Sequence, residues 1–554
     1  MKLEEEFGPD RMIQIETDDE ENEAERVCHN HEDDSESDIT LSSRDPSFAG
    51  MDSDPCGSWP QSYRQSMDMY TMLTHSISKN SFLMPSVDKR PHTISDAEFS
   101  LLKPLISETR HREEEVPSSA LLVRQFTACG VPVSICKPPL TQQCTYSQSV
   151  INGILSTPYA LKEGGWFSIL LLFTFGIITC YTGILLKRCL ESSTQLQTYP
   201  DIGQAAFGLS GRICIAVILY LELYSSCVEY LIMMGDNLSA FFPNAQMDIY
   251  RIHLDSCQMC VIIAAIVILP TVWFRNLSLL SYISAGGVLT LVLVVVCLLW
   301  VGATSEIGFH PSGNSLNFAK LPLTIGIYSF CYGSHSVFPN IYSSMDDPSR
   351  FHSLLVISFA IAGLLYAGVA VFGFLMFGEA TDPQFTLNLP KTLIASKIAG
   401  WTVVVAPVTK FSLSLTPVAL GIEELLPPAQ SRSQLMSILI RTSLVFSTLI
   451  IALTIPYFGS VMAMIGSFLV MLVSVIVPCA CYMRIHRGGL TKLQIAACLF
   501  IIVVGVFCAI VGTYSAMASM KDSSSAHIRS PSLAQGELLA IHKQQQAVAD
   551  AEYK

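Results

Sequence analysis

Six polar side chains interrupt one apolar stretch, Leu321 to Met345: Tyr328, Tyr332, Ser334, His335, Ser336 and Asn340. Hydroxyls, an imidazole and an amide can exchange hydrogen bonds with a small polar ligand. At membrane depth such groups are costly unless they face protein or a water-filled cavity. Gly326 and Gly333 loosen the same stretch, and Pro339 removes a backbone donor. The stretch is either a binding site in an interrupted span or a kinked helix whose polar groups satisfy one another. Glu222 and Glu229 are seven residues apart and share a helix face. They serve as a proton site or gate, or else Glu222 pairs with a neighbour while Glu229 sits at a span end. Lys410 follows Ala406-Pro407-Val408-Thr409, where an ammonium can replace a bound cation or snorkel to the interface. His335 is of the type that titrates near neutral pH, so it either senses or carries protons or is a core histidine. Asn237-Leu-Ser has sequon form but lies close to a span. No GxxxxGK[ST] loop and no HExxH pair occurs, which argues against nucleotide-driven chemistry and zinc catalysis. The chain is not expected to be an enzyme, and no metal or cofactor is expected.

These residues must be positioned by membrane helices. The chain has 554 residues, mean hydropathy +0.44, half its residues hydrophobic and only 14% charged. Its apolar residues fall in runs of about 20, the length that crosses a bilayer. Ten clear spans lie near 166–186, 213–234, 259–274, 279–301, 322–343, 354–377, 394–415, 436–458, 460–482 and 495–514. A shorter segment precedes them, Tyr146–Leu161, interrupted by Gly153 and Pro158. Counting it gives eleven spans, with the N-terminus cytosolic. Lys187, Arg188, Arg212, Arg275, Arg350, Arg432, Arg441, Arg484, Arg487 and Lys492 then fall on the cytosolic side, against Lys162, Arg251, Lys320, Lys391 and Lys397 opposite. That asymmetry agrees with the positive-inside rule.

Residues 1–50 carry 17 Asp and Glu against 4 Lys and Arg, which accounts for the whole net charge of −13. An acidic tail gives no reason to expect nucleic-acid binding. Residues 1–140 are acidic, then Ser-rich, and are expected to be a disordered cytosolic tail with no signal peptide. The transmembrane domain is expected over 146–516. The polar end, 521–554, is expected to be disordered or at most a loose helix. The 17 cysteines are scattered without metal-site spacing and read as small apolar fillers.

The interrupted first and sixth spans start five spans apart. This fits two five-span repeats of inverted topology, each opening with a broken helix, plus one extra span. Half-helix N-terminal ends suit a carboxylate, and free carbonyls suit an amine or small cation. An α-amino acid carries both. With no nucleotide site, an ion gradient is the natural energy source.

Seven runs carry a resemblance: LSTPYALKEGGW (155–166), TYPDIGQAAFG (198–208), LELYSSCVEYLIMMGDNLS (221–239), LPTVWFRNLSLLSYISAGG (269–287), IGIYSFCYGSHSVFPNIYSSM (325–345), FGEAT (377–381) and IEELLP (422–427). Over about Tyr146 to Tyr514 the chain resembles the amino acid/auxin permease family, most closely the plant vacuolar amino acid transporter group. The resemblance implies an all-α integral membrane fold of about eleven helices, the five-plus-five inverted repeat, with helices 1 and 6 broken. It implies proton-coupled transport of small neutral amino acids across the vacuolar membrane; the plasma membrane or another endomembrane is the alternative location. Carried over by match, Asn152, Ser156, Thr157, Tyr328, Gly333, Ser334, His335 and Ser336 are the substrate-binding candidates. Glu222, Glu229 and Lys410 remain the proton-coupling or gating candidates. The chain departs from the family between Asn152-Gly153 and Leu155, where members carry an additional glycine-containing stretch that unwinds the first span. The departure implies an alternative function: a non-transporting variant that senses or associates.

Overall fold

The computed structural model describes residues 59–60, 153–249, 252–273, 292–304, 308–309, 313–343, 345, 347–427 and 433–552. The expectations for the acidic tail, for Asn152 and for most of the fourth span fall outside them, apart from Trp59, Pro60 and the short helix 292–304.

The described chain is helical, with one small hairpin, β1 (Met247–Ile249) against β2 (Ile252–Leu254). Helix α1 covers residues 153–164 and α2 covers Ser168–Glu191. Next come α3 (Tyr199–Phe241), α4 (Ser256–Trp273) and the short apolar α5 (Val292–Thr304). The interrupted stretch supplies α6 (Leu321–Cys331), a 3-10 turn (His335–Val337) and α7 (Phe338–Ser343). Then follow α8 (Phe351–Phe377), α9 (Ile394–Glu424), α10 (Gln434–Thr454), α11 (Phe458–Ile485) and α12 (Lys492–Glu552). Eight of the described helices are long and apolar enough to cross a membrane. The polar end beyond Lys521 continues α12 as helix to Glu552.

Local chemistry sets the breaks. Thr198 and Asp201 form a capping box at the start of α3, with Thr198 N and Oγ1 both donating to Asp201 Oδ2 (3.0 and 2.8 Å). Gly208 then leaves helical geometry at φ +71°, which folds the first two turns of α3 back against the rest. Arg212 straddles this corner, binding Asp201 Oδ1 (3.3 Å) and Gln204 Oε1 (2.6 Å). Its Nε also donates to the carbonyl of Trp59 (3.0 Å), and the Trp59 indole N–H donates to Gly421 O in α9 (3.1 Å). One residue of the N-terminal region is therefore seated between α3 and α9.

The core runs between helices rather than through a soluble interior. Tyr328, Tyr366, Phe351, Phe374 and Phe411 are among its largest fully buried side chains. Helix α6 lies directly against α11. A Cβ on Gly326 would strike the Ala463 carbonyl, and one on Gly466 would strike the Gly326 carbonyl. Only glycine permits this backbone-to-backbone approach. From Gly466 to Ile476, α11 widens into a π-helix. Around the widened turns the carbonyls of Val473 and Ser474 accept from Tyr199 Oη and Thr182 Oγ1, both at 2.6 Å.

Two placements differ from the simplest reading of the sequence. Arg441, counted among cytosolic charges, is buried in α10 against Glu423 of α9 (Nε to Oε1, 3.5 Å). Asn237, of sequon form, is buried and bonded to a loop between α8 and α9. The twelve described cysteines are unpaired, and most are buried, as small apolar fillers would be.

Candidate functional site

The interruption of the sixth apolar stretch is a true helix break. Helix α6 ends at Cys331, residues 332–334 leave helical geometry, and the chain restarts as the 3-10 turn. Helix ends leave carbonyls and N–H groups without intrahelical partners. Here Cys331 O accepts from Tyr366 Oη of α8 (2.8 Å). Tyr332, Gly333 and Ser334 are buried, so the break lies inside the protein.

The described part of α1 begins at this break. A Cβ on Gly153 would lie 3.1 Å from Cys331 Sγ and 3.2 Å from its Cα, so the two backbones touch where α6 stops. The other end of α1 is fixed as firmly. Gly165 turns at φ +79°, and the turn is stapled to 314–317 by Trp166 N→Asn314 O (3.2 Å), Phe167 N→Ser315 O (3.0 Å) and Asn317 N→Gly164 O (3.2 Å). Thr324 Oγ1 adds a bond to Ala160 O (3.2 Å). The first and sixth segments are thereby held side by side along the length of α1, about 18 Å for 12 residues.

The predicted residues distribute around this pair. His335 is fully buried, with Nε2 3.0 Å from Thr179 O and 3.1 Å from Thr182 Oγ1, both on α2. A carbonyl can only accept, so Nε2 carries the proton and Nδ1 is left as an acceptor. Nδ1 has no partner among the described residues. The ring also packs on Phe338, with centroids 4.7 Å apart. Ser334 is buried at the break, Ser336 is half-buried in the 3-10 turn, and Gly333 sits against Val470 of the π-helical segment. Tyr328 is turned away from the break, its hydroxyl 3.1 Å from Ser168 Oγ at the start of α2. Ser156 Oγ donates to Pro383 O (2.8 Å), and Thr157 Oγ1 donates to Ile154 O (3.1 Å) within α1. Glu222 and Glu229 on α3 and Lys410 on α9 are all buried. Glu222 Oε2 has no hydrogen-bond partner among the described residues.

Sequence reasoning missed three contributions. Thr179 and Thr182 fix His335, and nothing in their local sequence marks them. Gly153, read only as an interruption, is the point of contact with the break. The loop 378–390 caps α1, through Ser156 and through Lys162 Nζ→Thr381 O (3.2 Å). In that loop burial pushes the Asp382 carboxyl up, and Lys162 opposes the shift.

With this geometry in view, residues 145–518 match the family described as transmembrane amino acid transporter protein. The chain belongs to that family. Two Arabidopsis thaliana proteins, amino acid transporters AVT1E and AVT1B, are 50% and 45% identical to the chain. The AVT1E match covers 83% of this chain and 90% of the relative, and the AVT1B match covers 92% and 98%. The vesicular GABA transporter of Caenorhabditis elegans is 27% identical over 67% of this chain and 78% of its own length. Membership of the transporter family agrees with a helical membrane protein whose central feature is a broken helix.

Proposed function

We propose that this chain is a secondary active transporter that moves small neutral amino acids across the vacuolar membrane by alternating access, coupled to protons. The observation that carries the reading is the buried helix break at 332–334, touching Gly153 at the start of α1. Among the described residues α1 is continuous over 153–164, and it meets the break of the sixth segment, where N–H groups and carbonyls come to one point that suits a zwitterion. The N–H end of the 3-10 turn, with the hydroxyls of Ser334 and Ser336, serves the carboxylate. Carbonyl oxygens at the end of α6, each with a second lone pair, serve the ammonium. Asn152, Ser156, Thr157, Tyr328 and Gly333 complete or shape the site, and Glu222, Glu229 and Lys410 serve coupling or gating. The eleven-span, five-plus-five inverted repeat is the architecture that gives these segments their opposite directions. The names of the relatives support an amino acid as substrate: two are amino acid transporters and one is a transporter of GABA, itself a small zwitterion.

His335 supplies the test of the site. Its Nδ1 acceptor, held in place through Nε2, is a polar valence left open beside the break. In uptake measurements on reconstituted protein, His335→Ala is expected to raise the KM for the amino acid at least tenfold. That corresponds to about 1.4 kcal/mol, in the range of one hydrogen bond to a charged group. His335→Gln, which keeps a donor toward Thr179 O, is expected to fold as the parent does. An unchanged KM in His335→Ala would remove the break from the substrate site.

A further inference from the structure

We propose that Asp236 is a positioning residue for transport: it latches the 378–390 loop over α1 on the non-cytosolic side, and its protonation from that side releases the loop. This rests on the transport reading above.

The latch is a directed chain of hydrogen bonds. Thr386 Oγ1 donates to Asn237 Oδ1 (2.9 Å). Asn237 Nδ2 donates to Gln384 Oε1 (2.5 Å) and to Met233 O (2.9 Å). Gln384 Nε2 donates to Asp236 Oδ2 (2.8 Å), and Cys257 Sγ approaches Asp236 Oδ1 (3.4 Å). Gln384 is fully buried, so its amide has no water to fall back on. Every donor in the chain runs toward Asp236, which is the final acceptor. An ionised carboxylate accepts on both oxygens, whereas a protonated one becomes a donor on one of them. Protonation therefore turns a charge-assisted bond into a neutral one, about half as strong.

The surroundings leave the switch to Asp236. No Lys or Arg pairs with it among the described residues. From α4 it faces Cys257, beyond which lie Asp255 and Cys260; from the loop it faces Gln384 and, farther off, Asp382. Lys162 of α1 stands by Asp382, while Lys391 and Lys397 line a small cleft on the Asn237 side. The loop meanwhile accepts Ser156 and Lys162 of α1 on its own carbonyls. Asp236 thus reaches the first segment through the loop. It lies seven residues beyond Glu229 and fourteen beyond Glu222 on α3, so all three acids share one stripe of that helix.

The experiment is hydrogen exchange of residues 378–390 in the full chain reconstituted in lipid nanodiscs, at pH 7.5 and 5.0, corrected for the intrinsic pH dependence of exchange. The parent loop is expected to exchange at least tenfold faster, after correction, at the lower pH. Asp236→Asn, which mimics the neutral acid, is expected to exchange fast at both, and so is Gln384→Leu. Asp382→Asn is expected to follow the parent. Protection of the α6–α11 contact reports that each variant is folded, and Gln384→Leu stands in if Asp236→Asn is not. A parent-like response in Asp236→Asn or Gln384→Leu, or a flat response in Asp382→Asn, overturns the proposal. Exchange needs no substrate, so a responsive loop in a chain without amino acid uptake would fail the transport reading and leave the latch standing.

Discussion

Gly466→Ala is expected to abolish correctly folded protein. The added Cβ would fall on the Gly326 carbonyl oxygen, and the next obstacles are Phe330 Cβ and N, both at 2.9 Å. None of these is the free end of a flexible side chain, so α6 and α11 must separate. Overpacking a core costs about 1–3 kcal/mol when side chains can yield; here backbone must move, and the cost lies at or above the top of that range. The consequence reaches the site, because α6 ends at the break and the π-helical turns of α11 begin at Gly466. Gly368→Ala is the control. It sits in α8 with nothing within 4 Å of an added Cβ, and is expected to be neutral or stabilising by about 0.4–1 kcal/mol. Size-exclusion profiles of the two detergent-extracted variants check the contrast. A monodisperse, active Gly466→Ala protein would mean that α6 and α11 are not in backbone contact.

Arg441→Met is expected to destabilise the protein by roughly 3–5 kcal/mol, the cost of leaving a buried charge unpaired. Glu423 is buried, takes Ser437 Oγ at 2.7 Å, and has Arg441 as its cationic partner; Arg441 also donates to Val272 O of α4 (3.0 Å). One guanidinium thus joins α4, α9 and α10. Replacing both charges, as in Glu423→Leu with Arg441→Met, is expected to recover most of the loss, because an apolar pair of similar volume carries no desolvation penalty. Thermal unfolding midpoints of the purified single and double variants measure this directly. A double variant no better than the single would show that the two residues act separately.

How much of this was legible in the sequence follows from the range of the interactions. Hydropathy locates spans because the signal is local, and nearly all those predicted within the described residues have a matching helix. The broken sixth stretch was legible from Gly333 and its polar neighbours, since conformational freedom and polarity are written in the residues themselves. His335 was legible as unusual, but its fixation by Thr179 and Thr182 was not, because those residues lie more than 150 positions away. Arg441 was legible as a charge near a span end, but its burial against Glu423 was not, because Glu423 is a tertiary neighbour. Asp236 was legible in principle: a seven-residue step from Glu229 predicts the same helix face. Gln384 and Thr386, which give Asp236 its consequence, sit in a loop whose sequence has no periodicity to read. The widening of α11 also carried no sequence signal beyond Gly466.

If the helix break beside α1 serves proton-coupled amino acid movement, the chain alone must carry an amino acid down a pH gradient. The most direct measurement is uptake of a radiolabelled small neutral amino acid by proteoliposomes holding the full chain, with and without an imposed pH gradient. A version with a glycine-containing stretch inserted after Gly153 is run beside it at equal insertion. The parent chain is expected to show saturable uptake that collapses when a protonophore dissipates the gradient. Uptake by the inserted version alone, or uptake indifferent to the gradient, would contradict it.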